Sequence, residues 1–157
     1  MTDASPAPYR RPVPTRWNDN DLYGHVNNTV YYAAMDTVIN TFLIEEAGFR
    51  PLTDDVIGFC VASSCRFIAS AAFPEQIVVE LRIGRIGRSS VTWRPRILRA
   101  ADDSELAEGE FVTVFVGREG QRPTPVPDSI RRVLEASFVI ADDDSPSRPA
   151  PAVRHSA

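Results

Sequence analysis

The sequence contains few of the side chains that bind metals or form disulfides. It has two cysteines and two histidines in 157 residues, and one of the histidines, His155, stands close to the end of the chain. Structural zinc sites are built mainly from cysteine and histidine, so the composition argues against such a site. Cys60 and Cys65 are an odd number of positions apart, which would place them on opposite faces of one strand. We therefore expect reduced cysteines, no metal and no organic cofactor.

The sequence also lacks an apolar segment near its start and a surplus of positive charge. The opening MTDASPAPYRRP includes an acidic residue and no apolar run, so no secretory signal or transit peptide is predicted, and a cytoplasmic location is expected. The formal net charge of -4 argues against nucleic acid as the main partner, because polyanion binding usually shows a basic face. With 43% hydrophobic and 24% charged residues, the composition is typical of a soluble globular protein and not of a membrane protein.

One domain is expected over residues 9–140, with flexible tails at 1–8 and 141–157 that are rich in proline, serine, alanine and aspartate. Apolar residues recur at three- and four-residue spacing from Asn28 onward, which predicts a long helix with a broad buried face. Asn27 or Asn28 would cap its start, and Gly48 would end it. This helix is expected at the centre of the core.

The rest of the domain is predicted to be mostly antiparallel strands. Four segments rich in β-branched and aromatic residues follow the helix, and short polar turns separate them: VIGFCVASSCRFI, EQIVVELRIGRI, SSVTWRPRILRA and ELAEGEFVTVFVG. The segment PYRRPVPTRW also alternates, but its prolines restrict it to a sheet edge. A short helix over 128–137 is expected to pack on an edge or on an oligomer partner.

A polar turn precedes the long helix in the segment RWNDNDLYGHVNNTVYYAAMDTV, residues 16–38. A helix N-terminus exposes unpaired N–H groups that can hold an oxyanion, and a carboxylate just upstream can face the same carbonyl group. Asp21, Gly24 and Asn28 have this spacing. Asp21 would attack the carbonyl carbon or activate a water, Gly24 would let the backbone pass close by, and the Asn28 N–H would hold the oxyanion. The pattern indicates acyl transfer to water.

A purely structural interpretation of the turn is also open. Asp19 and Asp21 could accept hydrogen bonds from turn N–H groups, Asn27 or Asn28 could cap the helix, and His25 could be a spacer. Other hydrolase types fit less well. The sequence has no G-x-S-x-G elbow for a serine nucleophile, and neither cysteine has a histidine close to it in sequence.

The pattern W-N-D-N-D-L-Y-G-H-V-N-N, followed by Tyr31, Tyr32 and the long helix, resembles the acyl-CoA thioesterases of the 4-hydroxybenzoyl-CoA thioesterase type. The resemblance covers residues 15–116 and includes the turn G-R-S-S-V at 87–91. It implies the α+β hotdog fold, in which an antiparallel sheet of about five strands wraps around one long central helix. It also implies a thioesterase that hydrolyses an acyl-CoA to a free acid and coenzyme A.

The resemblance assigns roles within the turn. The second aspartate of the D-x-D pair, Asp21, is the catalytic carboxylate, which makes Asp19 structural. The oxyanion donor is the backbone N–H at the helix start, on or beside Asn28. His25 and Asn27 line or support the catalytic site.

The resemblance also implies where substrate and partners bind. Tyr23 and Gly24 are expected beside the substrate, and Arg88, Ser89 and Ser90 are expected to contact it because coenzyme A carries phosphates. The histidine in G-H-V-N-N favours a general or medium-chain acyl group over 4-hydroxybenzoyl. A homodimer or homotetramer is implied, with active sites at the dimer interface and the strand at residues 60–66 near the partner's helix start.

Two other functions remain open from the sequence. A non-catalytic hotdog protein could use the turn only to hold an acyl-CoA ligand. A hotdog dehydratase is a weaker alternative, because the position of His25 does not match the histidine and carboxylate of those enzymes.

Overall fold

The computed structural model describes residues 6–138 and 140, and the tails predicted at 1–8 and 141–157 lie outside this part of the chain except for residues 6–8. The long helix, α1, spans Asn28–Glu45, and a second helix, α2, spans Asp128–Ser137. A short 3-10 helix covers Trp17–Asp19. The strands are β1 Arg10–Val13, β2 Val56–Phe67, β3 Ile77–Glu80, β4 Ile83–Ile86, β5 Ser90–Trp93, β6 Arg96–Arg99 and β7 Glu105–Gly117.

All strand pairs are antiparallel and belong to one sheet. β7 pairs with β2 along one side and with β5 and β6 along the other, β4 pairs with β5, and β3 pairs with β6 and with β1. Only Leu81 and Arg82 separate β3 from β4, and only Arg94 and Pro95 separate β5 from β6. If β3 and β4 are counted as one interrupted strand, and β5 and β6 as another, the sheet has five strands with β1 and β2 at its edges. The predicted fold class and the predicted edge strand are confirmed.

Helix α1 packs against one face of this sheet. Its buried side chains recur at helical spacing: Tyr31, Ala34, Met35, Val38, Ile39, Phe42 and Leu43. Asn27 is the N-cap, and Gly48 adopts a positive φ of 67° shortly after the helix ends, as the sequence predicts. Glycine at position 109 of β7 allows a close approach, because a Cβ there would overlap the sulfur of the fully buried Met35.

Helix α2 completes the core of its own chain. Ile130 and Leu134 are buried, and the ring of Phe138 lies 5.1 Å from that of Phe42 and 6.5 Å from that of Trp93. The expected helix is present, and its buried side chains cover the hydrophobic core of the same chain. The apolar side chains of α2 are thus buried within the domain.

The two cysteines lie on the same face of β2, and the prediction of opposite faces is wrong. The pairing with β7 shifts register between Cys60 and Ala62, which leaves Val61 as the extra residue of a bulge. Cys60 is consequently opposite Thr113, and Cys65 is opposite Gly109. Both thiols are free, and Cys60 is exposed because β2 is an open edge. None of the helices in the described part of the chain is long and apolar enough to span a membrane.

Candidate active site

The polar turn forms a tight loop at the tip of a small backbone ladder. Asn20 and Val26 pair as an isolated antiparallel bridge, and the loop of residues 21–25 lies between them. The Asp21 N–H donates to the His25 carbonyl at 3.0 Å, and the Gly24 N–H donates to the Asp21 carbonyl at 3.0 Å. Gly24 has a φ of 83°, a conformation that glycine adopts without steric cost. The loop therefore presents the Asp21 side chain at a fixed place.

Both oxygens of the Asp21 carboxylate accept hydrogen bonds. The Tyr23 backbone N–H donates to Oδ1 at 2.8 Å, and the Asn27 Nδ2 donates to Oδ2 at 3.1 Å. The other side-chain atom of Asn27, Oδ1, accepts from the Thr29 N–H at 3.0 Å and so caps α1. A single side chain, Asn27, thus connects the half-buried carboxylate to the start of the helix.

The first N–H of α1 is available to a ligand. In the first turn, the Thr29 N–H donates to the Asn27 side chain, and the Val30 N–H donates to the Asn27 carbonyl at 3.0 Å. The hydrogen bonds of the described residues leave the N–H of Asn28 without an acceptor. Because α1 is 18 residues long and its N-terminus carries partial positive charge, this N–H is suited to stabilise an oxyanion.

Asp19, the other aspartate of the turn, is held within the structure. Its side chain is only 4% exposed, and it accepts from the Arg16 backbone N–H and the Arg16 Nη2, each at 2.8 Å. The Arg16 guanidinium bond, opposed by burial, holds the pKa of this carboxyl below its usual value. The Asp19 carbonyl accepts from the Asn27 N–H at 2.8 Å, so Asp19 also stabilises the turn through its backbone.

The remaining predicted residues of the turn lie on its surface. His25 and Tyr23 are exposed, and so are Leu22 and Trp17, which are large apolar side chains. The structure thus brings Asp21, Tyr23, Gly24, His25, Asn27 and Asn28 together around the start of α1. No cluster of three or more metal-binding side chains is found in the described residues.

Arg88, Ser89 and Ser90 lie in a different part of the chain. The Ser89 carbonyl accepts from the Phe115 N–H at 2.8 Å, near the end of β7. The turn that carries Asp21, in contrast, adjoins the segment after β2 that bonds to Leu106 near the start of β7. Leu106 and Phe115 are nine residues apart on one strand, which corresponds to about 30 Å. Within one chain, the predicted substrate residues and the carboxylate are therefore at opposite ends of the sheet.

Two concavities in the described part of the chain are lined by residues other than Asp21. One of about 210 Å³ lies between the residues before β2 and the start of α2, and it is lined by residues such as Phe49, Asp54 and Ile130. A smaller one of about 50 Å³ lies between α1 and β2, beside Asp36, Asn40 and Cys60. The Asp21 side chain itself is half-buried in the single chain.

Sequence reasoning did not find the residues that attach the turn to the rest of the domain. The Asn20 Oδ1 accepts from the Phe73 N–H at 3.0 Å, and the Val26 N–H donates to the Ala71 carbonyl at 2.8 Å. Asn20 stands inside the W-N-D-N-D pattern, which was the only signal for it. Nothing in the sequence points to Ala71 and Phe73, because their contribution is made by backbone atoms.

Comparison with known proteins identifies the family. The model of the thioesterase-like superfamily matches residues 15–134. The crystal structure of the PA5185 protein from Pseudomonas aeruginosa is 44% identical over 83% of this chain and 91% of that chain, with a TM-score of 0.80. The PA2801 protein of the same organism, a proposed thioesterase, is 33% identical over 78% of this chain and 95% of that chain, with a TM-score of 0.74.

A more distant structure shares the fold alone. A 1,4-dihydroxy-2-naphthoyl-CoA thioesterase from Synechocystis is 17% identical over 89% of this chain and 100% of that chain, with a TM-score of 0.75. None of the curated proteins compared with the chain matches it significantly. The predicted resemblance and the predicted enzyme class, a thioester hydrolase, are confirmed at the level of the family, whereas the 4-hydroxybenzoyl-CoA type is not. The chain belongs to the thioesterase-like superfamily.

Proposed function

We propose that the protein hydrolyses acyl-CoA thioesters and that Asp21 is its catalytic carboxylate. The observation that carries this proposal is the arrangement around Asn27. Its side chain donates to the Asp21 carboxylate and caps α1, while the next N–H along the chain, that of Asn28, has no acceptor among the described residues. A carboxylate and an oxyanion donor are thus fixed beside each other, as acyl transfer requires.

The thioester would bind with its carbonyl oxygen at the Asn28 N–H and its carbonyl carbon facing Asp21. Asp21 either takes a proton from a water that attacks this carbon or attacks the carbon itself and forms an anhydride that water then opens. In both routes the carbon–sulfur bond breaks, the thiolate leaves and takes up a proton, and water supplies the second oxygen of the acid. The positive end of α1 stabilises the tetrahedral oxyanion in either case.

Coenzyme A is the proposed thiol carrier, and a general or medium-chain acyl group is the proposed acyl part. The naphthoyl-CoA thioesterase that shares this fold acts on a coenzyme A thioester, which supports the carrier. The exposed Arg88 and the half-buried Ser89 and Ser90 offer one cation and two hydroxyl groups to phosphate oxygens. We assign these three residues to the coenzyme A part of the substrate.

The active form is proposed to be a homodimer, or a pair of such dimers, with the active site at the interface. β2 is an edge strand of 12 residues with exposed apolar side chains on it, including Phe59, Val61 and Phe67. An unpaired edge of this length and composition is a natural surface for pairing with a second copy. The exposed Leu22 and Tyr23 beside Asp21 would be covered by the same contact.

The test of the function is free-thiol release from a panel of short, medium, long and aromatic acyl-CoAs. We expect turnover by the wild type and a loss of about 10³-fold in kcat for Asp21→Asn, because the amide is neither base nor nucleophile. Asp55→Asn is a matched control, since it removes one exposed carboxylate elsewhere, and it should leave kcat unchanged. Affinity for a non-hydrolysable thioether analogue should survive in Asp21→Asn.

Each other outcome points to a different function. If wild type binds acyl-CoA and releases no thiol from any of them, the chain is a binding protein and the turn only holds the ligand. If it hydrates an enoyl-CoA and leaves saturated thioesters intact, the dehydratase alternative is correct. Unchanged thiol release by Asp21→Asn would show that another group does the chemistry.

A further inference from the structure

The catalytic loop is attached to the domain on both of its sides by one backbone segment, residues 70–75. On the side before Asp21, the Asn20 Oδ1 accepts from the Phe73 N–H at 3.0 Å. On the side after it, the Val26 N–H donates to the Ala71 carbonyl at 2.8 Å. Because Asn20 and Val26 also pair with each other, the position of the loop is set by where this segment lies.

The segment is in turn fixed from several directions. The Thr15 hydroxyl donates to the Glu75 carbonyl at 2.6 Å, and the Arg99 guanidinium donates to the Ser70 carbonyl at 3.1 Å. These bonds hold its two ends. Its centre, the part that contacts the loop, is held by the Glu75 carboxylate, which accepts from the Ala72 N–H at 2.7 Å, and by one group on α1.

That group is the hydroxyl of Tyr31, which accepts from the Ala71 N–H at 3.3 Å. Tyr31 is 3% exposed, and its ring meets that of Phe67 edge-on at 5.5 Å between centroids. Burial raises the pKa of the phenol, so the group remains a neutral hydroxyl at neutral pH. Ala71 therefore has its N–H bonded to Tyr31 and its carbonyl bonded to the turn.

Tyr31 also belongs to the helix that supplies the oxyanion donor. It follows Asn28 by three residues, less than one helical turn, on the rigid first part of α1. A continuous series of covalent and hydrogen-bonded connections therefore leads from the Asn28 N–H to Asp21. It runs through Tyr31, Ala71 and Val26. This series connects the Asp21 carboxylate with the Asn28 N–H, the two groups that, in the proposed reaction, must face the same thioester carbonyl.

We propose that Tyr31 is a positioning residue, whose hydroxyl sets the place of Asp21 relative to the Asn28 N–H by holding Ala71. The inference rests on the proposed function, because it concerns the geometry of that reaction. Displacements on the order of 1 Å at a reacting group cost up to about 10²-fold in rate, so the loss of one fixing bond has a measurable effect on kcat. Tyr31 makes no direct contact with the substrate in this assignment.

The experiment compares Tyr31→Phe with Tyr32→Phe, a matched removal of one hydroxyl from the neighbouring helix position. Steady-state kinetics are measured on the best acyl-CoA, together with affinity for a non-hydrolysable thioether analogue. For Tyr31→Phe we expect kcat to fall about tenfold while KM and analogue affinity stay within about twofold. Tyr32→Phe, whose ring packs on Phe111 at the side of α1, should match the wild type.

Asn20→Ala provides a second, independent variant, because it removes the other attachment of the loop without touching the core. It should show the same fall in kcat with KM unchanged, and it keeps the test valid if Tyr31→Phe folds poorly. Wild-type kcat in a folded Tyr31→Phe, a rise in its KM at unchanged kcat, or, if Tyr31→Phe does not fold, wild-type kcat in Asn20→Ala would overturn the positioning role.

The proposed function and this inference fail in different ways. If the wild type releases no thiol, or if Asp21→Asn keeps its activity, the proposed function itself is wrong and the inference falls with it. If the wild type is active, Asp21→Asn is inactive and Tyr31→Phe turns over like the wild type, only the positioning role is wrong.

Discussion

Two aspartates that stand two positions apart differ in what surrounds their carboxylates. Asp19 is buried and bonded to the guanidinium and backbone of Arg16, whereas Asp21 is half-buried and accepts from neutral donors only, the Tyr23 N–H and the Asn27 amide. A carboxylate engaged by a guanidinium is stabilised as an anion and is a poor base or nucleophile. This difference supports the proposed roles, in which Asp19 is structural and Asp21 is the catalytic carboxylate.

Asp19→Asn is expected to lower stability and leave the reaction largely intact. At pH 7 the free energy of unfolding should fall by about 1–2 kcal/mol, the size of a charge-assisted bond to a partly exposed partner. The pKa of Asp19 is lower in the folded chain than the 3.8 of a free side chain. The contribution of the ionised Asp19 to the free energy of unfolding is thus complete above pH 3.8. It is lost as the pH falls through the pKa that Asp19 has in the folded chain.

Urea unfolding of wild type and Asp19→Asn over a series of pH values from neutral into acid measures this effect. The difference between the two proteins should be large at neutral pH and small in acid. Thiol release at pH 7 serves as the control and should stay near the wild-type rate. A constant difference across the pH range would show that Asp19 stabilises the turn without its charge.

At the residue scale, the sequence predicted those features of the site that depend on local spacing, and it missed those that depend on long-range contacts. The D-x-D pair, the glycine with positive φ and the asparagine cap all act within a few residues of one another, so their pattern is visible in the sequence. The attachment of Asn20 and Val26 joins positions about 50 apart, as the 53-residue separation of the Asn20–Phe73 bond shows, and residues 71–73 contribute only backbone atoms to it. No side-chain pattern records such a contact.

At the element scale, the distance between α1 and the sheet depends on a glycine in β7. Gly109 of β7 faces Met35, and a Cβ at position 109 would overlap the Met35 sulfur. Because Met35 is fully buried, this close contact sets how near α1 lies to β7, and α1 carries the proposed oxyanion donor at its start. Helix spacing and site geometry are therefore linked.

Gly109→Ala should reduce the free energy of unfolding by about 1–3 kcal/mol, the usual cost of overpacking a dense core. Denaturant unfolding measures it. In a Met35→Ala background the added methyl group enters freed space, so the same change should cost clearly less. Equal costs in the two backgrounds would mean that the sheet shifts and that the helix contact does not set the spacing.

The boundaries of the elements show which sequence signals are strong. Both helices begin as predicted, at Asn28 and Asp128, because caps and helical periodicity act locally. Of the four segments expected as strands after α1, two are interrupted: EQIVVELRIGRI divides into β3 and β4, and SSVTWRPRILRA divides into β5 and β6 at Pro95, which cannot donate a ladder hydrogen bond. The bulge at Val61 had no sequence signal, since it arises from how β2 pairs with β7.

At the scale of the whole molecule, the residues that we propose for the site lie far apart within one chain. Asp21 and the Asn28 N–H lie at one end of the sheet, about 30 Å along β7 from the turn that carries Arg88. A twofold pairing through the exposed edge β2 would be antiparallel and would bring opposite ends of two chains together. The carboxylate of one copy would then meet the arginine of the other.

Subunit complementation tests this arrangement. Asp21→Asn should abolish turnover, and Arg88→Glu should reduce kcat/KM at least about tenfold by repelling the substrate phosphates. When the two variants are mixed under conditions that exchange subunits, a mixed dimer has one site with both changes and one site with neither. Random mixing at equal amounts should restore about a quarter of the wild-type activity.

Recovery depends on the two residues coming from different chains, and this makes the experiment decisive. If Asp21 and Arg88 of one chain served the same site, every site in the mixture would carry a change, and the activity would stay at the level of the separate variants. An Arg88→Glu variant with wild-type kcat/KM would instead remove Arg88 from the substrate site. Light scattering on each variant and on the mixture must show the same oligomer, so that regained turnover reflects shared sites and not altered assembly.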